Sequence, residues 1–147
     1  AANEVNLSNN SIKFNLSVLN TQVRVLYVEG KPRWEYRFLK ERLIRASNDI
    51  EAQCWLSEAD RQFEQEHSAS TIALRAVPTD VETLLKNYDV IIIGDVNPLQ
   101  ISHDPLASQD FLKSVAEFVE SGGGLLMLAG AQYNPLHFLD TTIGNML

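Results

Sequence analysis

Apolar positions along this chain alternate between two periods. Val23 to Val28 is an apolar, β-branched run suited to a buried strand, Gly30 and Pro32 mark a turn, and Tyr36, Leu39 and Leu43 then recur at helical spacing. A strand, a tight loop and a helix from Arg33 are predicted, with Asn48 and Asp49 stopping the helix. Ile50 to Leu56 reads as a second strand, with Ala52, Cys54 and Leu56 on one face and Trp55 on the other. The polar stretch from Ser57 to Ser70 keeps neither period and is expected to be an exposed excursion between elements. Thr79, with Glu82 three residues on, is expected to cap a short helix ending at Asn87.

Tyr88 to Gly94 follows as YDVIIIG, the continuous apolar run of a central parallel strand, and Asp95 falls just past its carboxyl end. Ser108 is read as the cap of a helix to about Ser121, with a core face of Phe111, Leu112, Val115, Phe118 and Val119. Gly122 to Gly124 end that helix and Leu125 to Leu128 form a fourth strand, whereas residues 135–147 suggest no fifth. The order predicts an α/β open, mainly parallel sheet with helices on both faces. At the other end, Ile12, Phe14, Leu16 and Val18 alternate with polar neighbours as a half-buried strand. Residues 1–20 are therefore read as the tail of a preceding β-sandwich or an added edge strand, and residues 21–147 as the α/β domain.

Composition narrows the classes. A chain of 147 residues with 45% hydrophobic and 21% charged residues has the size of one globular domain. It has no apolar run near the ~20 residues of a membrane helix. A formal charge of −7 and a pI near 4.9 argue against nucleic acid as a partner, because binding phosphates needs a surplus of Lys and Arg. Cys54 is the single cysteine, so neither an internal disulfide nor a cysteine-based zinc site is available. Ala1 to Asn10 lacks the charged and then apolar run of a signal peptide, and the start reads as a cut end.

Candidate chemistry gathers where strands end. In open α/β sheets ligands meet the loops leaving the carboxyl ends of strands, which singles out Glu29, Lys31, Arg33 and Glu35 after the first strand and Asp95 and Asn97 after the third. Glu29 and Asp95 would face one crevice if those strands are neighbours, as flavodoxin-like orders require, and together could serve a metal-dependent hydrolase or a phospho-accepting domain. Arg33 is the residue best suited to an anion. Trp34, Tyr36 and Tyr133 could offer stacking faces to a sugar or small metabolite, although core packing is the expected use of Trp34. The triple glycine follows a helix and opens a strand, the reverse of a phosphate-binding turn, and reads as a helix cap. Cys54 lies within a strand and is expected to pack, and neither His67, His103 nor His137 makes a persuasive metal site. No cofactor is expected.

With YVEGKPRWEYRFLK, YDVIIIGDVNP and GGGLLMLAG in this order, the chain resembles the class I glutamine amidotransferase-like domain of large bacterial membrane-anchored proteins. The resemblance spans roughly residues 20–135. It implies a flavodoxin-like sheet, a preceding sandwich whose last strand is residues 1–20, and an extracytoplasmic place in a membrane-anchored parent, with this piece itself outside the membrane. Catalytic relatives carry a Cys in a Gly-x-Cys-x-Gly elbow after the fourth strand. Here Leu128 takes that position, and a shifted register offers only Ala129, Gly130 or Ala131, none of which can attack an amide. Gln132 stands where a Gln follows such elbows and joins the rim residues as a seventh ligand-binding candidate. The expectation is a non-catalytic module for interaction or ligand sensing, whose partners are other domains of the parent or other envelope proteins, with oligomers possible through residues 1–20.

Overall fold

Strand formation starts from the apolar run after Gln22. In a computed structural model of the chain, described over residues 22–45 and 48–146, Val23–Glu29 forms β1. The elements that follow are α1 (Trp34–Arg45), β2 (Ile50–Leu56), α2 (Val81–Asn87), β3 (Val90–Ile93), α3 (Pro105–Glu120) and β4 (Gly124–Met127), then short 3₁₀ turns at Leu136–Phe138 and Gly144–Met146. The sheet order is β2-β1-β3-β4 and every pairing is parallel. This is the α/β, flavodoxin-like open sheet that the alternation of elements implies. The strand proposed for residues 12–18 lies outside the described residues.

Alternation within the strands separates two cores. Leu26 and Val28 of β1, Trp55 of β2 and Ile91 and Ile93 of β3 pack with Phe111, Leu112, Val115 and Phe118 of α3, Leu84 of α2 and, from the tail, Phe138 and Ile143. On the opposite face Val25, Tyr27, Ala52, Cys54, Leu56 and Ile92 pack with Tyr36 and Leu43 of α1. The predicted face split of β2, with Trp55 against Cys54, therefore holds. Gly122, at φ 99°, reverses the chain after α3, a left-handed conformation that glycine adopts without a Cβ clash.

Two expected helix caps are corrected. The cap of α2 is Asp80 rather than Thr79: the Asp80 carboxylate accepts from the Thr83 amide at 2.7 Å, while the Thr79 carbonyl accepts from Ser114 Oγ at 2.9 Å. Helix α3 starts a turn before Ser108, because Asp104 caps it and Pro105 fills the first position, where a missing N–H costs nothing. Ser108 is instead buried inside the helix, its hydroxyl accepting from the Ser102 amide at 2.9 Å.

The polar stretch after β2 is no free excursion either. It returns antiparallel along the outer edge of β2, with a bridge between Gln53 and His67. The Cys54 amide donates to the Glu66 carbonyl at 2.8 Å, and the Ser68 amide donates to the Ala52 carbonyl at 2.8 Å. Gln65, buried, reads the end of the strand with its side chain, accepting from the Leu56 amide at 2.8 Å and donating to the Leu56 carbonyl at 3.2 Å. Side-chain amides and hydroxyls that mimic a partner strand have no period of their own, which is why the stretch reads as loop. At the other edge, β4 has no outer partner among the described residues, and its Leu126 is 47% exposed.

Candidate functional site

All four strands point the same way, so the loops leaving β1, β3 and β4 meet at one rim. Glu29, the last residue of β1, is 0% exposed. Its Oε2 accepts from the Tyr27 hydroxyl at 3.0 Å and from Arg33 Nε at 3.0 Å, and its Oε1 accepts from the Gly30 amide at 3.1 Å. Arg33 Nη1 donates onward to the Ala129 carbonyl at 3.1 Å, which ties the β1 exit to the β4 exit. Burial disfavours the Arg33 charge, but the hydrogen bond and charge of Glu29 outweigh that and raise its pKa. Burial, then the neighbouring Glu29 charge, also raises the Tyr27 phenol, so Tyr27 stays a neutral donor.

Asp95 organises the loop after β4. Its Oδ1 accepts from the amides of Tyr133 at 2.6 Å and Asn134 at 3.0 Å, and its Oδ2 accepts from the Gln132 amide at 3.0 Å. Burial works against this carboxylate, yet the three amides and nearby Arg33 more than compensate and hold its pKa below the ordinary 3.8. Asn134 secures the loop from below, donating from Nδ2 to the carbonyls of Ile93 at 3.0 Å and Gly94 at 3.1 Å. A methyl group on Gly130 would run into the Asp95 side chain, so a glycine is what lets the loop close around it.

Between these two braces lies a cavity of about 400 Å³ lined by Lys31, Arg33, Glu35, Asp95, Gln132 and the 129–131 backbone turn. Five of the seven ligand candidates named from sequence thus share one cavity. Glu29 lies beneath it as a support for Arg33. Asn97 faces its own turn, accepting from the Leu99 amide at 3.0 Å. Leu128 packs against the α1 side of the sheet, and Ala129 and Gly130 occupy the exit turn with no nucleophilic atom. Trp34 corrects an expectation: it is 83% exposed at the start of α1 and is not a core residue, whereas Tyr36 is buried. Tyr133 stacks edge-on with His137 at 5.3 Å.

A larger cavity, about 910 Å³, opens under the 60–75 segment and includes Trp55, Phe63, Arg61, Arg75 and His103. Sequence reasoning missed it because its wall joins Trp55 of β2 to the 60–65, 72–75 and 102–104 stretches, which no local pattern brings together. Among the described residues no three His, Cys, Asp or Glu side chains converge as a metal site. Cys54 is buried, and burial together with Glu66, against the opposing pull of Lys40, pushes its thiol up to about 12. The protein class defined by these observations is an α/β open-sheet domain with a polar carboxyl-end cavity. No family model, curated protein or solved structure matches the chain.

Proposed function

We propose that this chain is a non-catalytic, glutamine amidotransferase-like module that senses a small ligand, or holds a partner, at the carboxyl-end rim of its sheet. The observation that carries the reading is the β4 exit: a braced turn of Leu128, Ala129 and Gly130 opens onto a polar cavity and offers no nucleophile. Cys54 is no substitute, since it is buried in β2 with its thiolate disfavoured. The alternative of a metal-dependent hydrolase or phospho-accepting domain needs carboxylate oxygens free to bind. Glu29 and Asp95 spend theirs on Tyr27, Arg33 and four backbone amides, which favours the sensing reading.

A sugar or other small metabolite stays within the reading, because Trp34 stands exposed next to Arg33 and Glu35 of the cavity. The setting we propose is a larger, membrane-anchored bacterial envelope protein, with the other domains of that parent as partners. No helix among the described residues is long and apolar enough to cross a membrane. Two assays test the function. Purified protein should release no ammonia from glutamine, and release would overturn the non-catalytic assignment. In thermal unfolding against glutamine, phosphorylated compounds, nucleotides and sugars, a true ligand at about 100 times its dissociation constant adds about 2.7 kcal/mol. That is a rise of several degrees, and it should shrink in Lys31→Gln.

A further inference from the structure

Uncommitted donors collect in the rim cavity. Arg33 Nη2 is buried and meets no acceptor among the described residues. No hydrogen bond is found among them for the amides of Ala129 and Ala131, and Lys31 and Gln132 contribute an ammonium and a carboxamide to the same lining. On the acceptor side, Asp95 is already engaged by three amides. Glu35 is the remaining carboxylate of the lining, 62% exposed in its side chain and 3.7 Å from Arg33 Nη1.

We propose that the cavity binds the oxyanion group of a small molecule, a carboxylate or a phosphate, which displaces Glu35 from Arg33; this rests on the rim cavity being the working site. Arg33 is held ready for the task. Its Nε is fixed by the wholly buried Glu29 and its Nη1 by the Ala129 carbonyl, so little side-chain freedom is lost on binding. Lys31, 3.4 Å from Glu58, is exposed and can swing to the ligand. Because Glu29 balances the Arg33 charge, recognition depends on directed donors more than on net charge, in keeping with an acidic chain that still takes an anion.

The test uses two exposed positions that leave the braces intact. The protein is titrated with inorganic phosphate and, separately, with succinate, while the backbone amide resonances are followed by NMR. Shifts concentrated at Ala129, Ala131 and Gln132 are expected with at least one probe, and the probe that acts separates phosphate from carboxylate. Glu35→Gln removes the competing carboxylate and should tighten binding by about two- to fivefold, and Lys31→Gln should weaken it by a similar factor. Weaker binding in Glu35→Gln, or shifts by neither probe, would overturn the oxyanion assignment. If a neutral sugar from the thermal panel still moves the rim amides, the working-site reading survives that failure. If nothing moves them, both fall.

Discussion

Two acids end neighbouring strands, yet the fold uses them in opposite ways. Glu29 is entirely buried and satisfied mainly by side chains, the Tyr27 hydroxyl and the Arg33 guanidinium. Asp95 sits closer to solvent and is satisfied by backbone alone, the amides of Gln132, Tyr133 and Asn134. The first fixes a cation, and the second fixes a loop. A carboxylate at a strand end is therefore not in itself a catalytic or metal-binding group; what its oxygens already hold decides what it can do.

The largest effect should follow from removing the buried acid. Glu29→Ala strands a part-buried Arg33 and leaves the Tyr27 hydroxyl without its acceptor, and unpaired buried charges typically cost about 3–5 kcal/mol. Denaturant unfolding should show that loss; one below about 1 kcal/mol would mean that Arg33 finds another partner. Asp95→Asn should cost less, about 1–3 kcal/mol, because three amides lose a charged acceptor that is nearer water.

Acidification should reveal the amide cradle of Asp95. The folded pKa of Asp95 is depressed, so its contribution is fully present above the unfolded value near 3.8 and is lost as pH falls through the folded value. Melting temperature measured from pH 6 downward should thus show an acid limb that is shallower in Asp95→Asn than in the native protein. Equal limbs would show that the amide cradle does not favour the charged form.

Close approach offers a finer comparison. A methyl on Gly94 meets the Glu29 carboxylate, and one on Gly130 meets Asp95. Overpacking costs of about 1–3 kcal/mol are expected for both alanine variants, with Gly94→Ala the worse because Glu29 has nowhere to move. The reverse order would make the 129–134 loop the more rigid of the two exits. Smallest of all, Lys31→Gln should alter stability by no more than about 0.5 kcal/mol, since the Lys31–Glu58 pair is exposed.

Much of this was legible in the residues themselves. The run Val90–Ile93 announces a strand covered on both faces, and the spacing of Tyr36 and Leu43 gives the inward face of α1. Placing Lys31, Arg33, Glu35, Asp95 and Gln132 in one cavity needs a parallel sheet with β1 beside β3 and β3 beside β4, since strand exits then converge. Three-dimensional pairing hid the rest. Gln65 and Ser68 look like loop residues because their side chains, rather than a strand period, satisfy β2. The cap of α2 fell to Asp80, whose carboxylate takes the Thr83 amide, while Thr79 meets α3 through its carbonyl, which accepts from Ser114 more than thirty positions away. Trp34 reads as core by residue type, but it falls on the face of α1 opposite Tyr36 and Leu43.

The central claim is that the two strand-exit acids are braces with their oxygens committed, and not ligands waiting for a cation. It is tested most directly by thermal unfolding with magnesium, manganese or calcium against a chelator, in the native protein and in Asp95→Asn. An unchanged melting temperature in both is the predicted result. A rise with one of these ions that disappears in Asp95→Asn would contradict it and return Asp95 to the role of metal ligand.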